Sequence, residues 1–229
     1  MAHFRCLCLD TADPTSDLAT FWATVSGGTV TPAESGGPAD VYGRAEHENL
    51  LVVPVPERKT VKNRVHLDVY AAAIGDLTAL GAEVVLPAEE SGFSWTVMRD
   101  PEGNEFCAFL RDELPDYRIH GVVIDSADPE RIATWWGDVL GAEVSDNAEH
   151  GGGWWTLLGA TPDPVLTWDF VPVPEPKTAP NRIHWDLAAD SIDPLLEHGA
   201  TVLRAKGTDD LRWDILADPE GNEFCVFTP

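Results

Sequence analysis

Asp100-Pro101-Glu102-Gly103-Asn104-Glu105-Phe106-Cys107 returns, residue for residue, as Asp218-Pro219-Glu220-Gly221-Asn222-Glu223-Phe224-Cys225. A second pair of blocks keeps the same separation. Asn63-Arg64-Val65-His66-Leu67-Asp68 matches Asn181-Arg182-Ile183-His184-Trp185-Asp186, and a Val-Pro-Val-Pro-Glu segment precedes each, at 53–57 and 171–175. Both pairs stand 118 residues apart, so neither copy carries a net insertion between its blocks. A chain of 229 residues built this way reads as a tandem duplication, with one domain at 1–112 and another at 113–229.

Working outward, Asp-Pro-Glu-Gly-Asn is a hairpin connection, because proline suits an early turn position and glycine reaches positive φ without steric cost. The strand after it places Glu105, Cys107 and Phe109 on one face and Phe106, Ala108 and Leu110 on the other, since side chains alternate along a strand. The same period divides Arg64, His66 and Asp68 from Val65, Leu67 and Val69, and Arg182, His184 and Asp186 from Ile183, Trp185 and Leu187. One face of each strand is therefore ionisable and lines an opening, and the other is apolar and lies under a helix.

Each copy starts with an apolar strand running into Asp13-Pro14 or Asp128-Pro129, which suits a helix start. Leu18, Phe21, Trp22 and Val25 then recur at helical spacing, as do Ile132, Trp135, Trp136 and Val139; Gly27 and Gly141 end the helices. Strand-like runs follow, and a similar unit begins at the histidine strand, with short helices ending at Gly81 and Gly199. The expected class is α+β, each domain holding two β-α-β-β-β units that form a cup-shaped mixed sheet with helices on its outer face.

Composition narrows the partners. Thirty-nine acidic residues against 15 basic ones leave a net charge of −24, which repels nucleic-acid phosphates and anionic lipid headgroups. No stretch is apolar for long enough to span a membrane, and the amino terminus lacks the pattern of a secretion signal. Cys6, Cys8, Cys107 and Cys225 form no Cys-x-x-Cys pair, which fits reduced thiols in a cytoplasm. A small-molecule ligand is the expected partner, in a chain that is either a monomeric pseudo-dimer or a homodimer.

The motif Asn-Arg-(Val/Ile)-His-x-Asp, then a short helix ending Gly-Ala, then Asp-Pro-Glu-Gly-Asn-Glu-Phe-Cys, resembles the vicinal oxygen chelate superfamily. The nearest branch is the glyoxalase/bleomycin-resistance/dioxygenase group, and the resemblance covers nearly the whole chain twice. That scaffold hosts lyases, isomerases, dioxygenases and metal-free drug-binding proteins. In metal-dependent members a divalent ion such as Zn, Fe, Mn, Ni or Co is held by a first-strand residue, a histidine opening the second unit and a last-strand glutamate. The resemblance places the histidine at His66 and His184 and the glutamate at Glu105 and Glu223. The first-strand place falls on Cys6 and Gly121, a departure from the pattern. His120 beside Gly121 needs a bulge to reach the cup, and Asp169 supplies a carboxylate whose counterpart is Leu51.

These residues admit two roles each. His66 with Glu105, and His184 with Glu223, either coordinate metal or share a hydrogen bond across the cup. Glu105, Glu223 and Asp186 are the candidate catalytic carboxylates. Arg182, like Arg64, either recognises an anionic ligand or makes a local salt bridge. Trp22, Trp135 and Trp136 read as core, whereas Trp154, Trp168 and Trp213 are candidates to line a ligand cavity. Gly151-Gly152-Gly153 offers a loop at its mouth. The second domain, with more candidate ligands, is the expected seat of activity, and a metal-free binding protein is the alternative.

Overall fold

The computed structural model describes residues 1–13, 17–31, 39–147 and 153–229. Four β-α-β-β-β units follow one another. The first holds β1 His3–Thr11, α1 Leu18–Ser26, β2 Thr29–Thr31, β3 Asp40–Tyr42 and β4 Leu50–Pro54. The second holds β5 Val65–Ala71, α2 Ile74–Ala79, β6 Glu83–Leu86, α3 Ala88–Ser91, β7 Thr96–Arg99 and β8 Glu105–Leu110. The third holds β9 Ile119–Ser126, α4 Pro129–Leu140, β10 Glu143–Asp146, β11 Trp155–Leu158 and β12 Thr167–Pro172. The fourth holds β13 Ile183–Ala188, α5 Asp193–Glu197, β14 Thr201–Arg204, β15 Asp214–Ala217 and β16 Glu223–Phe227.

The helices stop where their sequence says. Gly27 and Gly141 take left-handed φ of 82° and 69°, a conformation that costs glycine nothing and a branched residue much. Asp128 caps α4 by accepting from the Arg131 N–H, with Pro129 at the first helical position. Pro14 lies outside the described residues.

Two eight-stranded sheets result, and each is made of two units drawn from different repeats. The first sheet runs β14-β15-β16-β13-β1-β4-β3-β2, joining the fourth unit to the first. The second runs β10-β11-β12-β9-β5-β8-β7-β6, joining the third to the second. The seams are antiparallel: β1 pairs with β13 and β5 with β9. The repeats 1–112 and 113–229 therefore each supply half of both sheets.

What holds the two units of one repeat together is contact between sheets. Trp22 of α1 packs edge-on against Phe106 of β8 at 5.5 Å, and Trp136 of α4 packs against Phe224 of β16 at 5.0 Å. Trp136 also meets Trp168 of β12 and Trp185 of β13, each at 5.3 Å, so one indole touches both sheets. Removing so large a buried side chain costs about 3–5 kcal/mol by the usual measure of core truncation.

The duplicated octapeptide makes the polar half of this joint. Asp100 Oδ2 accepts from Trp22 Nε1 at 3.0 Å while Oδ1 accepts the Glu102 and Asn104 N–H groups. Asp218 repeats the arrangement with Trp136, Glu220 and Asn222. Next to them, Glu102 accepts from the Thr11 hydroxyl, and Glu220 accepts from the Ser126 hydroxyl and the Asp128 N–H. The turn thus ties the last strand of each repeat to the opening strand and helix of the same repeat, across the sandwich.

The apolar faces of the sheets consequently meet in the interior, with α1 and α4 among them. Along β5 the alternation is complete: Val65, Leu67, Val69 and Ala71 are buried, and His66, Asp68 and Tyr70 are half-buried on the outward face. We call these polar faces the first cup, on the first sheet, and the second cup, on the second.

Candidate functional site

Strand register assembles each cup floor from both repeats. In the first cup β1 sets Cys8 opposite His184 and Cys6 opposite Asp186, and β16 sets Cys225 on the other side of Asp186. In the second cup β9 sets Val123 opposite His66 and Gly121 opposite Asp68, and β8 sets Cys107 beside Asp68. Gly121 leaves the room that Asp68 occupies.

Three groups of ligand atoms converge within 4.8 Å of one another: His66, Asp68 and Cys107; His184, Asp186 and Cys225; and Cys6, Cys8 and Asp186. Imidazole, carboxylate and thiol are the donors that hold zinc and similar borderline ions. Asp68 Oδ1 is buried with His66 Nε2 3.7 Å away and no hydrogen-bond partner among the described residues, and a cation between them would satisfy it. The donor sets therefore fit a divalent ion on each floor.

Electrostatics at the floors follow from burial. Desolvation, joined by the Lys62 charge, lowers the His66 pKa to about 4, and desolvation lowers His184 to about 4, so both rings are neutral at pH 7 and able to donate a lone pair. Burial, with the nearby Asp169 charge, raises Asp68 to about 7. Asp186 is also raised by burial, against the pull of thiol hydrogen bonds from Cys8, Cys225 and Cys6. The histidine side chains keep 16% and 15% exposure, so the floors are reachable from outside.

Glu105 and Glu223 face the cups but are spoken for. Glu105 Oε1 takes the Lys59 ammonium at 3.0 Å and Oε2 the Asn63 N–H at 3.0 Å. Glu223 does the same with Lys177 at 2.5 Å and Asn181 at 3.2 Å. Burial pushes the Glu105 pKa up, but the Asn63 N–H and Lys59 outweigh it and hold the group below the ordinary value. These carboxylates pin the segment before each histidine strand, and the structure brings Cys107 and Cys225, two residues further along the strand, to the histidines instead. Their shared face with the glutamates was visible in the alternation; the lysine reaching in from a preceding loop was not.

Other expectations fall out differently. Trp168 is fully buried among Trp136, Trp185 and Phe4, because β12 turns Trp168 and Phe170 inward and Asp169 outward; it is core and does not line a cup. Asp169 faces the second cup, with Asp68 and His66 of the other repeat, and accepts from the Thr156 and Thr167 hydroxyls. Arg182 forks into two backbone carbonyls, Glu57 O at 2.8 Å and Asp10 O at 3.0 Å, and Arg64 into Glu175 O and Asp125 O. Both guanidinium groups therefore cross-link the two repeats, and the buried Arg182 Nε has no hydrogen-bond partner among the described residues.

Trp213 stacks on Phe227 at 5.2 Å, with the Arg5 guanidinium 4.3 Å from the same ring. Trp154 is half-buried ahead of β11, while Gly151 and Gly152 lie outside the described residues. The bulge that His120 required is present between Ile119 and Gly121; the ring stacks on Tyr70 at 3.9 Å and meets Phe109 edge-on.

A cavity of about 950 Å³ opens between residues 55–64 and 175–182, and its lining includes the equivalent pairs Asp10 and Asp125, Glu57 and Glu175, and Arg64 and Arg182. It is within the usual size of ligand pockets. Asp10 connects it to the first cup, lying 3.8 Å from His184 Nδ1. Burial is the main reason that the Asp10 pKa rises to about 7, with Arg182 opposing and Glu223 and Glu57 adding.

Comparison with known proteins agrees with this architecture. A family model described as a glyoxalase-like domain matches residues 6–109 and 121–227. Glyoxalase I from Zea mays superimposes with a TM-score of 0.65 at 14% identity, over 100% of this chain and 92% of that one. A putative dioxygenase from Bacillus subtilis gives 0.64 at 16% identity, over 99% and 84%. At such identities the likeness is one of fold. No curated protein matches the chain in sequence. No helix among the described residues is long and apolar enough to cross a membrane. With both repeats matched and both sheets built from paired β-α-β-β-β units, the chain belongs to the glyoxalase-like domain family of the vicinal oxygen chelate superfamily.

Proposed function

We propose that the protein binds a small oxygen-bearing organic molecule in its cups, over a divalent ion held by His66, Asp68 and Cys107 or by His184, Asp186 and Cys225. The observation that carries this reading is the recurrence of the same three donors within 4.8 Å in both cups. When bound, such an ion acts as a Lewis acid toward a carbonyl or hydroxyl oxygen. The protein's own part is to present imidazoles that burial keeps neutral. Lyase, isomerase and dioxygenase chemistry are all compatible with that equipment. The four free cysteines support a reducing compartment such as the cytoplasm, and two cups in one chain support a monomeric pseudo-dimer.

The test is metal content by plasma mass spectrometry after incubation with Fe, Mn, Ni, Co and Zn. About one ion per cup, lost in His66→Ala or His184→Ala, is the expected result. Protein that retains no ion under any of these conditions overturns the reading.

A second reading, metal-free sequestration of a cationic aromatic compound, draws on the rings stacked at each cup, Trp95 on Phe109 and Trp213 on Phe227, and on the net charge of −24. It expects such a compound to quench indole fluorescence equally before and after chelator treatment.

A further inference from the structure

Equivalent places in the two cups carry different donors. Where the first cup has Cys8 opposite its histidine and Cys6 opposite its aspartate, the second has Val123 and Gly121. The next strand reverses the bias: Leu51 stands beside Cys8 in the first sheet, and Asp169 stands beside Val123 in the second. The first cup thus offers Cys6, Cys8 and Cys225 around Asp186 and His184. The second offers Cys107 alone with Asp68, Asp169 and His66.

Packing does not explain the additional thiols, since valine and glycine fill the same places in the other sheet. The thiols also point at polar partners. Cys6 Sγ donates to Asp186 Oδ2 at 3.8 Å, and Asp186 belongs to two groups of ligand atoms, one with Cys6 and Cys8 and one with His184 and Cys225. All three cysteines are buried and unoxidised. Soft sulfur donors select thiophilic ions, while carboxylates and imidazole suit harder ones.

We propose that the first cup is a thiolate site for a thiophilic divalent ion of the zinc and cadmium type, bound by Cys6, Cys8 and Asp186, whose donor atoms lie within 4.8 Å of one another, with His184, opposite Cys8, as the fourth ligand. On binding, each thiol releases its proton to solvent and each sulfur shares a lone pair with the ion; no electron is transferred. The proposal rests on the metal reading above and narrows it, making the two cups of one duplicated chain unlike in ion preference.

Cadmium is the probe, because thiolate-to-metal charge transfer reports the number of sulfurs bound. Full-length protein, stripped of metal and kept reduced without added thiol, is titrated with Cd²⁺, and bound ions are counted by equilibrium dialysis. The absorption assigned to this site should disappear in a Cys6→Ser/Cys8→Val double variant, both sulfur ligands being gone, and should persist in Cys225→Ser. Cys107→Ser should leave that part in place. Cys8→Val alone, which copies the residue of the second cup, should remove about half and serves where the double variant does not fold by circular dichroism. Ions that bind with absorption indifferent to Cys6 and Cys8 overturn this proposal while leaving the metal reading standing. No bound ion at all overturns both.

Discussion

Gly121 stands directly across the seam from Asp68, and a Cβ placed on it would lie 3.1 Å from the Asp68 Cβ and 3.4 Å from its Oδ2. The backbone of Gly121 is not in the left-handed region, so space alone is at issue. Gly121→Ala should therefore act by overpacking, at about 1–3 kcal/mol, and Gly121→Val should cost more. Urea unfolding of both variants checks this; an unchanged midpoint for valine would show that Asp68 moves aside freely.

Glu223 ties down the segment before β13 through Lys177 and the Asn181 N–H. Glu223→Gln should lower stability by about 1–3 kcal/mol, since it removes the Lys177 ion pair and weakens the bond from Asn181 N. Metal content should persist in Glu223→Gln and fall by about one ion in His184→Ala, the second cup keeping its own. Loss of metal in the glutamine variant, with its fold retained, would return the glutamate to the ligand set.

Arg182 bridges Glu57 O and Asp10 O, joining the linker of the first repeat to β1 from the start of the fourth unit. Arg182→Met leaves carbonyls without donors, and a cost of about 2–4 kcal/mol is expected. Hydrogen exchange should quicken along 57–63. Arg64→Met, whose residue is more exposed, should show the same effect along 175–181 with smaller size.

The floors also set a pH dependence in metal-free protein. His66 and His184 titrate near 4 when folded and near 6.5 when unfolded, so the unfolded chain binds more protons between these values. That contribution is lost as pH falls from 6.5 to 4, at most about 3–4 kcal/mol per histidine if each tenfold change in proton affinity is worth about 1.4 kcal/mol. Asp10 and Asp68, raised to about 7, act oppositely: the folded chain binds more protons, and stability is lost as pH rises from about 4 to 7. The two effects offset each other in wild type. A His66→Asn/His184→Asn variant keeps only the second, so relative to wild type it should lose stability between pH 4.5 and 6.5. Urea midpoints at those two values check the sign, and an equal shift at both would refute it.

The repeat, the four units, their helix ends and the two-faced strands were legible in the chain because each rests on local chemistry. Glycine allows the left-handed ends at 27 and 141, and a period of two separates His66 and Asp68 from Leu67. The octapeptide's turn was legible for the same reason. Its larger role was not: Asp100 and Asp218 reach an indole about 80 residues away, and no local pattern encodes that distance.

Sequence by itself thus determined the units and the donors available to them; tertiary structure decided which units share a sheet and which donors meet. The pairing of β1 with β13 and of β5 with β9 depends on edges separated by much of the chain, and it moved Asp169 to His66 and left His184 with Cys8. Within the strands, alternation placed Glu105 and Cys107 on one face, but it was folding that brought Lys59 and the Asn63 N–H to the glutamate and set the thiol beside Asp68. A charged group goes to the partner that compensates its burial, and that partner arrives only when the chain has folded.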